Sequence, residues 1–98
     1  MKNKKRFRDL IQLLMDGATE GVSATNTLKI EGERLIHFHT PIAERYGNKI
    51  IVNITRYSLP TGQLQKQIGD MVPKDKQIIV KRVPIDYEGS LTDFLEDK

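Results

Sequence analysis

The chain reads as an α+β fold: a three- to four-stranded antiparallel sheet with an N-terminal helix, a short middle helix and a C-terminal helix. Three observations predict it. Phe7, Leu10, Ile11 and Leu14 fall at helical spacing near the start of the chain. The densest run of β-branched residues, Ile50 to Thr55, lies in the middle. Turn residues, Gly32-Glu33 and Gly47-Asn48, separate extended runs at hairpin distance. With 98 residues there is material for one core, so residues 1–98 are read as a single domain.

The first helix is expected over Asn3 to Asp16, with Asn3 as N-cap and Gly17 as the left-handed residue that ends it. Ala18 to Asn26 is small and polar and reads as a loop. Thr27 to Glu31 alternates and reads as a strand. Arg34 to Arg45 reads as one longer extended run, in which Pro41 demands either an edge position or a bulge. Lys49 to Tyr57 is the strongest strand. Its consecutive Ile50, Ile51 and Val52 predict burial on both faces and so a central position. Thr61 to Asp70 is expected to be a short helix capped by Thr61, with Leu64 and Ile68 as its apolar stripe. Gln77 to Val83 is a fourth strand closed by Pro84. Ser90 to Glu96 is a terminal helix opened by a Ser90–Asp93 capping box.

Composition narrows the function classes. Apolar residues make up only 38% of the chain, but they are clustered and periodic, which argues for a folded core and against disorder. No run is long and apolar enough for a membrane span, and the basic N-terminus is followed by neither a signal-peptide core nor a cleavage site. The expected location is therefore the cytoplasm, with no membrane partner. The absence of Cys rules out disulfides, thiolate metal sites and cysteine nucleophiles.

The formal charge of +3 is unevenly spread: the first ten residues carry +4 and residues 86–98 carry −4. Lys4, Lys5, Arg6 and Arg8 crowd a helix N-terminus, where the macrodipole disfavours cations. Tolerating that placement points to a basic contact surface for a partner, with nucleic acid as one class and plain solvated ends as the other reading.

His37-Phe38-His39 is the only histidine pair. Alternation along a strand would put both rings on one face, but a metal site needs a third ligand that the expected register does not supply, so no metal and no cofactor are assigned. That register sets His39 across from Arg56 and His37 near Ser58. The resulting patch of His37, His39, Arg45 and Arg56, with Tyr57 beside it, is a candidate surface for phosphates and stacked bases, or the ordinary polar face of a one-sided sheet. No nucleophile elbow, phosphate-binding loop or paired acid and base occurs, so the chain is expected not to be an enzyme. The stripe Leu91, Phe94 and Leu95 would pack on its own sheet or dock on a partner or a second copy, which leaves monomer and homodimer both open.

The run Asn26-Thr27-Leu28-Lys29-Ile30-Glu31-Gly32, then Leu35, Thr40-Pro41-Ile42-Ala43-Glu44-Arg45, Gly47-Asn48 and Val52-Asn53-Ile54-Thr55-Arg56-Tyr57-Ser58 resembles a short uncharacterised domain. That domain recurs in proteins of phages, plasmids and integrative elements of Gram-positive bacteria, and the resemblance covers about residues 24–68. It implies cargo of a mobile element. By analogy of size and context, it further implies an anti-CRISPR type of inhibitor directed at a host defence protein such as Cas9 or at its guide RNA. A basic chain is the wrong charge for a mimic of target DNA, so such an inhibitor would dock on protein or compete for guide RNA. A nucleic-acid-binding accessory factor is the alternative.

Overall fold

The computed structural model of the chain describes residues 5–95. Helix α1 (Phe7–Met15) is followed by five strands, β1 (Glu20–Val22), β2 (Leu28–Glu31), β3 (Arg34–His37), β4 (Thr40–Tyr46) and β5 (Lys49–Asn53). Helix α2 (Leu59–Met71) then leads to β6 (Gln77–Val80), and short 3-10 turns occupy Lys74–Lys76 and Leu91–Phe94. The strands form one six-stranded sheet in sequence order, antiparallel from β1 to β5 and parallel between β5 and β6.

The α+β class stands, but the expected three- to four-stranded antiparallel sheet with three helices is corrected to a six-stranded mixed sheet with two α-helices. Three physical causes account for the difference. The segment Glu20–Val22, read as loop, is an edge strand with too few apolar residues to signal itself. Its Gly21 lets it pass close to α1, because a Cβ there would lie 3.1 Å from Leu10 Cδ2. The run Arg34 to Arg45 is folded back on itself at Phe38-His39, with His37 paired to Thr40. And a helical crossover returns the chain to the same end of the sheet, which makes the next strand parallel.

Local signals explain most boundaries. Gly17, at φ +103°, closes α1 in a Schellman arrangement, with Ala18 N–H donating to Leu13 O and Gly17 N–H to Leu14 O. At the other end, Arg6 takes the N-cap position, and its backbone N–H donates to Asp9 Oδ2 at 2.9 Å. The expected Asn3 cap lies outside the described residues. Gly32 and Gly47 sit at positive φ in two-residue hairpin turns, as their positions predict. Pro41 lies in an interior strand. A bulge accommodates it: Leu35 pairs with Ala43 and Ile36 with Pro41, leaving Ile42 as the extra residue.

The sheet is covered on both faces. Leu10, Ile11 and Leu14 of α1 and Leu64 and Ile68 of α2 pack on Leu28, Ile30, Leu35, Ile50 and Val52. On the opposite face the chain after β6 crosses back as a strap, packing Val83 and Leu91 on Ile51 and Val80. The strap is pinned by the carboxylate of Glu44, which accepts from Ser90 Oγ at 2.6 Å and from Leu91 N–H at 2.7 Å. The expected terminal helix is corrected to a single 3-10 turn over Leu91–Phe94. Leu91 is fully buried against the chain's own sheet, with Phe94 and Leu95 partly packed beside it. Glu96 lies outside the described residues. Among the described residues, no helix is long and apolar enough to cross a membrane.

The exit from β5 decides where α2 starts. Asn53 is fully buried; its Nδ2 donates to Pro41 O at 3.0 Å and to Tyr57 Oη at 2.9 Å, and its Oδ1 accepts from Thr55 N–H at 2.9 Å. Tyr57 Oη donates in turn to Val83 O, and Gln65 of α2 donates to Asn53 O and Thr55 O. Replacing Asn53 with Ala strands several of these buried groups, so Asn53→Ala is expected to lower stability by about 2–4 kcal/mol, read as a fall in the urea midpoint with little change in slope.

Candidate functional site

A cleft of about 330 Å³ opens where three segments converge. The β3–β4 turn supplies His37, Phe38, His39 and Thr40. The approach to α2 and its first turn supply Tyr57, Ser58 and Thr61. The strap closes the third side with Ile85 and Asp86. Backbone and side-chain bonds position the walls: Phe38 N–H donates to Thr27 O at 2.7 Å, Tyr57 Oη donates to Val83 O at 2.6 Å, and Thr40 Oγ1 donates to Ile85 O, tying the turn to the strap.

Phe38 is the unusual member. It has φ +59°, a left-handed conformation at the first central position of a two-residue hairpin, where glycine is the usual occupant. A bulky residue there costs on the order of 1–3 kcal/mol, and Phe38 is 58% exposed, so burial returns little of that cost. Ile85, at 63% exposure, and Leu59, at 79%, add apolar surface around the mouth and in the adjoining groove.

His37 lies at the base. It is 4% exposed and sits between Phe7, edge-on at a 5.7 Å centroid distance, and Phe38, tilted at 4.5 Å. Its Nδ1 is 3.0 Å from Thr61 Oγ1, which is itself 3.0 Å from Ser58 Oγ, the side chain that caps α2. Burial pushes the His37 pKa below the ordinary 6.5, so the ring is neutral at pH 7. Among the described residues, Asp86 is the only Asp, Glu, Lys or Arg side chain lining the cleft.

The residues singled out from the sequence are only partly brought together. His37, His39 and Tyr57 share this cleft, and Arg56 borders the adjoining groove with Tyr57 and Leu59. They do not meet through the expected pairing, because β5 ends at Asn53 and Arg56 to Ser58 pair with no strand. The expectation that His37 and His39 share a strand face is corrected too: His37 ends β3 under the helices, while His39 is an exposed turn residue. Among the described residues no three His, Asp or Glu side chains cluster as metal ligands.

Arg45 is elsewhere. Its Nη1 donates to Leu14 O at 2.7 Å and Ala18 O at 2.9 Å, satisfying carbonyls at the end of α1. Arg6 and Arg8 are exposed on α1, Lys5 is half-buried just before it, and Lys4 lies outside the described residues. Sequence reasoning missed Phe38, Thr40, Ser58, Thr61, Ile85 and Asp86 as cleft residues. The one available signal was an aromatic between two histidines in a run too long for one strand.

Comparison with protein-family models, with curated proteins and with solved structures gave no match.

Two outcomes follow from this geometry. The unfolded chain protonates His37 near pH 6.5 while the folded chain resists, so stability is complete above pH 6.5 and falls as pH drops below it towards the depressed folded value. In urea titrations from pH 7.5 to 5, His37→Gln should flatten that part of the slope. Arg45→Ala removes the bonds to Leu14 O and Ala18 O, but Leu14 O keeps its bond from Gly17 N–H, so the loss of stability should be about 1–2 kcal/mol, with partner binding per folded molecule unchanged.

Proposed function

We propose that the chain acts by binding, without turnover, as a mobile-element accessory protein that docks on a host-defence effector of the Cas9 type or blocks its guide-RNA loading. The observation that carries the binding reading is Phe38, a strained and exposed aromatic held at the mouth of an apolar cleft. Strain kept at an exposed position marks a residue retained for contact, and aromatic anchors beside a pocket are the usual centres of protein interfaces. Ile85, Leu59 and Tyr57 extend the same apolar rim. The choice of effector rests on the resemblance of residues 24–68 to a mobile-element domain, and the net charge of +3 favours a protein or guide-RNA target over mimicry of DNA.

A second reading, a nucleic-acid-binding accessory factor, is favoured by Arg6 and Arg8. Both are exposed, and among the described residues neither takes part in an ion pair. It requires gel-shift affinity that falls steeply with salt and weakens when Lys5, Arg6 and Arg8 are replaced by Ala.

Phe38→Gly separates fold from function. Glycine relieves the left-handed strain, so the variant should match or exceed the wild type in stability, by up to about 1 kcal/mol. It should lose the ability to protect a targeted plasmid in cells carrying active Cas9 interference, and to bind the purified effector in calorimetry at 0.3 M salt. Full protection by Phe38→Gly would remove the cleft rim from the interface. No protection by the wild type across a panel of effectors would remove the anti-defence reading.

A further inference from the structure

We infer that the outer edge of β6 receives an acidic, extended segment of a partner protein, added to the sheet as one more strand. The surface is separate from the cleft, whose described walls come from other segments.

β6 stands at the end of the strand order, paired with β5 in parallel. The register sets Val52 beside Ile79 and Asn53 beside Val80, and Val80 O accepts from Ile54 N–H at 2.9 Å. Alternate residues of such a ladder turn their backbone groups to the same side. Ile78 and Val80 therefore bond towards β5, and Ile79 turns its N–H and C=O outward. The side chains alternate as well. Ile78 and Val80 pack with the strap, whereas Ile79, beside Val52, lies on the face that the helices cover. At this edge the cover is incomplete: Ile79 is 49% exposed and Ile54 48%. An outward amide pair with aliphatic surface beside it is what strand addition uses.

Charge selects the strand. Residues 74–82 hold Lys74, Lys76, Lys81 and Arg82 against Asp75, and all five are exposed. Cations on an edge deter neutral and cationic strands and leave anionic ones favoured. They also disfavour a second copy. Two β6 strands meeting antiparallel about Ile79 would bring Lys76 of each towards Arg82 of the other, and like charges set opposite are destabilising.

Arg82 is an independent sign of contact. It is exposed and holds φ +65°, with Val83 N–H, directly after it, donating to Thr55 Oγ1 at 2.9 Å. Left-handed backbone is unfavourable for a residue with a Cβ and free for glycine. An arginine kept there stations a guanidinium just past the end of the edge strand, and a guanidinium can grip a carboxylate through two parallel hydrogen bonds.

The test titrates ¹⁵N-labelled protein with a short capped peptide that alternates valine and glutamate, at pH 7.5 and low salt. The comparison probes are the same peptide with lysine for glutamate, the glutamate peptide N-methylated along its backbone, and oligothymidylate. The glutamate peptide should give saturable shifts at Gln77, Ile79 and Lys81 and slow the exchange of Ile79 N–H. The lysine and N-methylated peptides should each bind at least about tenfold more weakly. Arg82→Gly should match or exceed the wild type in urea midpoint and weaken the glutamate peptide about 2–5-fold. Lys81→Glu combined with Arg82→Glu, changes at exposed sites that leave the fold intact, should weaken it at least about tenfold. No saturation, equal binding of the lysine or N-methylated peptide, shifts centred away from β6, tighter binding of oligothymidylate at the same residues, or self-association through β6 without peptide would each overturn the proposal.

Discussion

The buried carboxamide of Asn53 is the constraint on which the rest of the structure turns. It sits at the last residue of β5 and ties that residue to β4 through Pro41 O and to the following turn through Thr55 and Tyr57. An amide with no water around it holds its partners because leaving them unpaired is costly. The chain therefore leaves the sheet at one place and in one direction. α2 begins at Leu59, lies over the sheet and delivers β6 alongside β5 in parallel register. Tyr57, fixed by the same amide, becomes both an anchor for the strap at Val83 and a wall of the cleft.

Much of the fold was legible because local chemistry agreed with tertiary need. Gly17, Gly32 and Gly47 each stand where a positive φ is required, and Ile50 to Val52 are buried on both faces as their continuity predicts. What was not legible lacked a local signature. Glu20-Gly21-Val22 becomes a strand only because β2 offers an edge and Gly21 fits under Leu10. The turn at Phe38-His39 carries none of the residues that normally announce one. The sense of β6 depends on the path of α2, which no periodicity encodes.

The site followed the same pattern. Histidines and basic residues drew attention as chemically conspicuous types, yet Arg45 proved to be a brace for α1 and the histidines parted at the turn. Asn53, Thr55 and Tyr57 belong to the hydrogen-bonded exit from β5, together with Gln65. That part of the chain encodes architecture. Phe38, the residue whose conformation is hardest to explain by stability, takes no part in that network.

The strap has a consequence for the order of assembly. The strands from β1 to β5 join neighbours in sequence, and such hairpins close quickly because little chain entropy is lost. β6 must wait for α2 to span the crossover, and the strap can settle on Glu44 only after β6 is in place, across sequence separations of 46 and 47 residues. Since Ile85 and Asp86 form one side of the cleft, the hairpins close well before the cleft has all its walls.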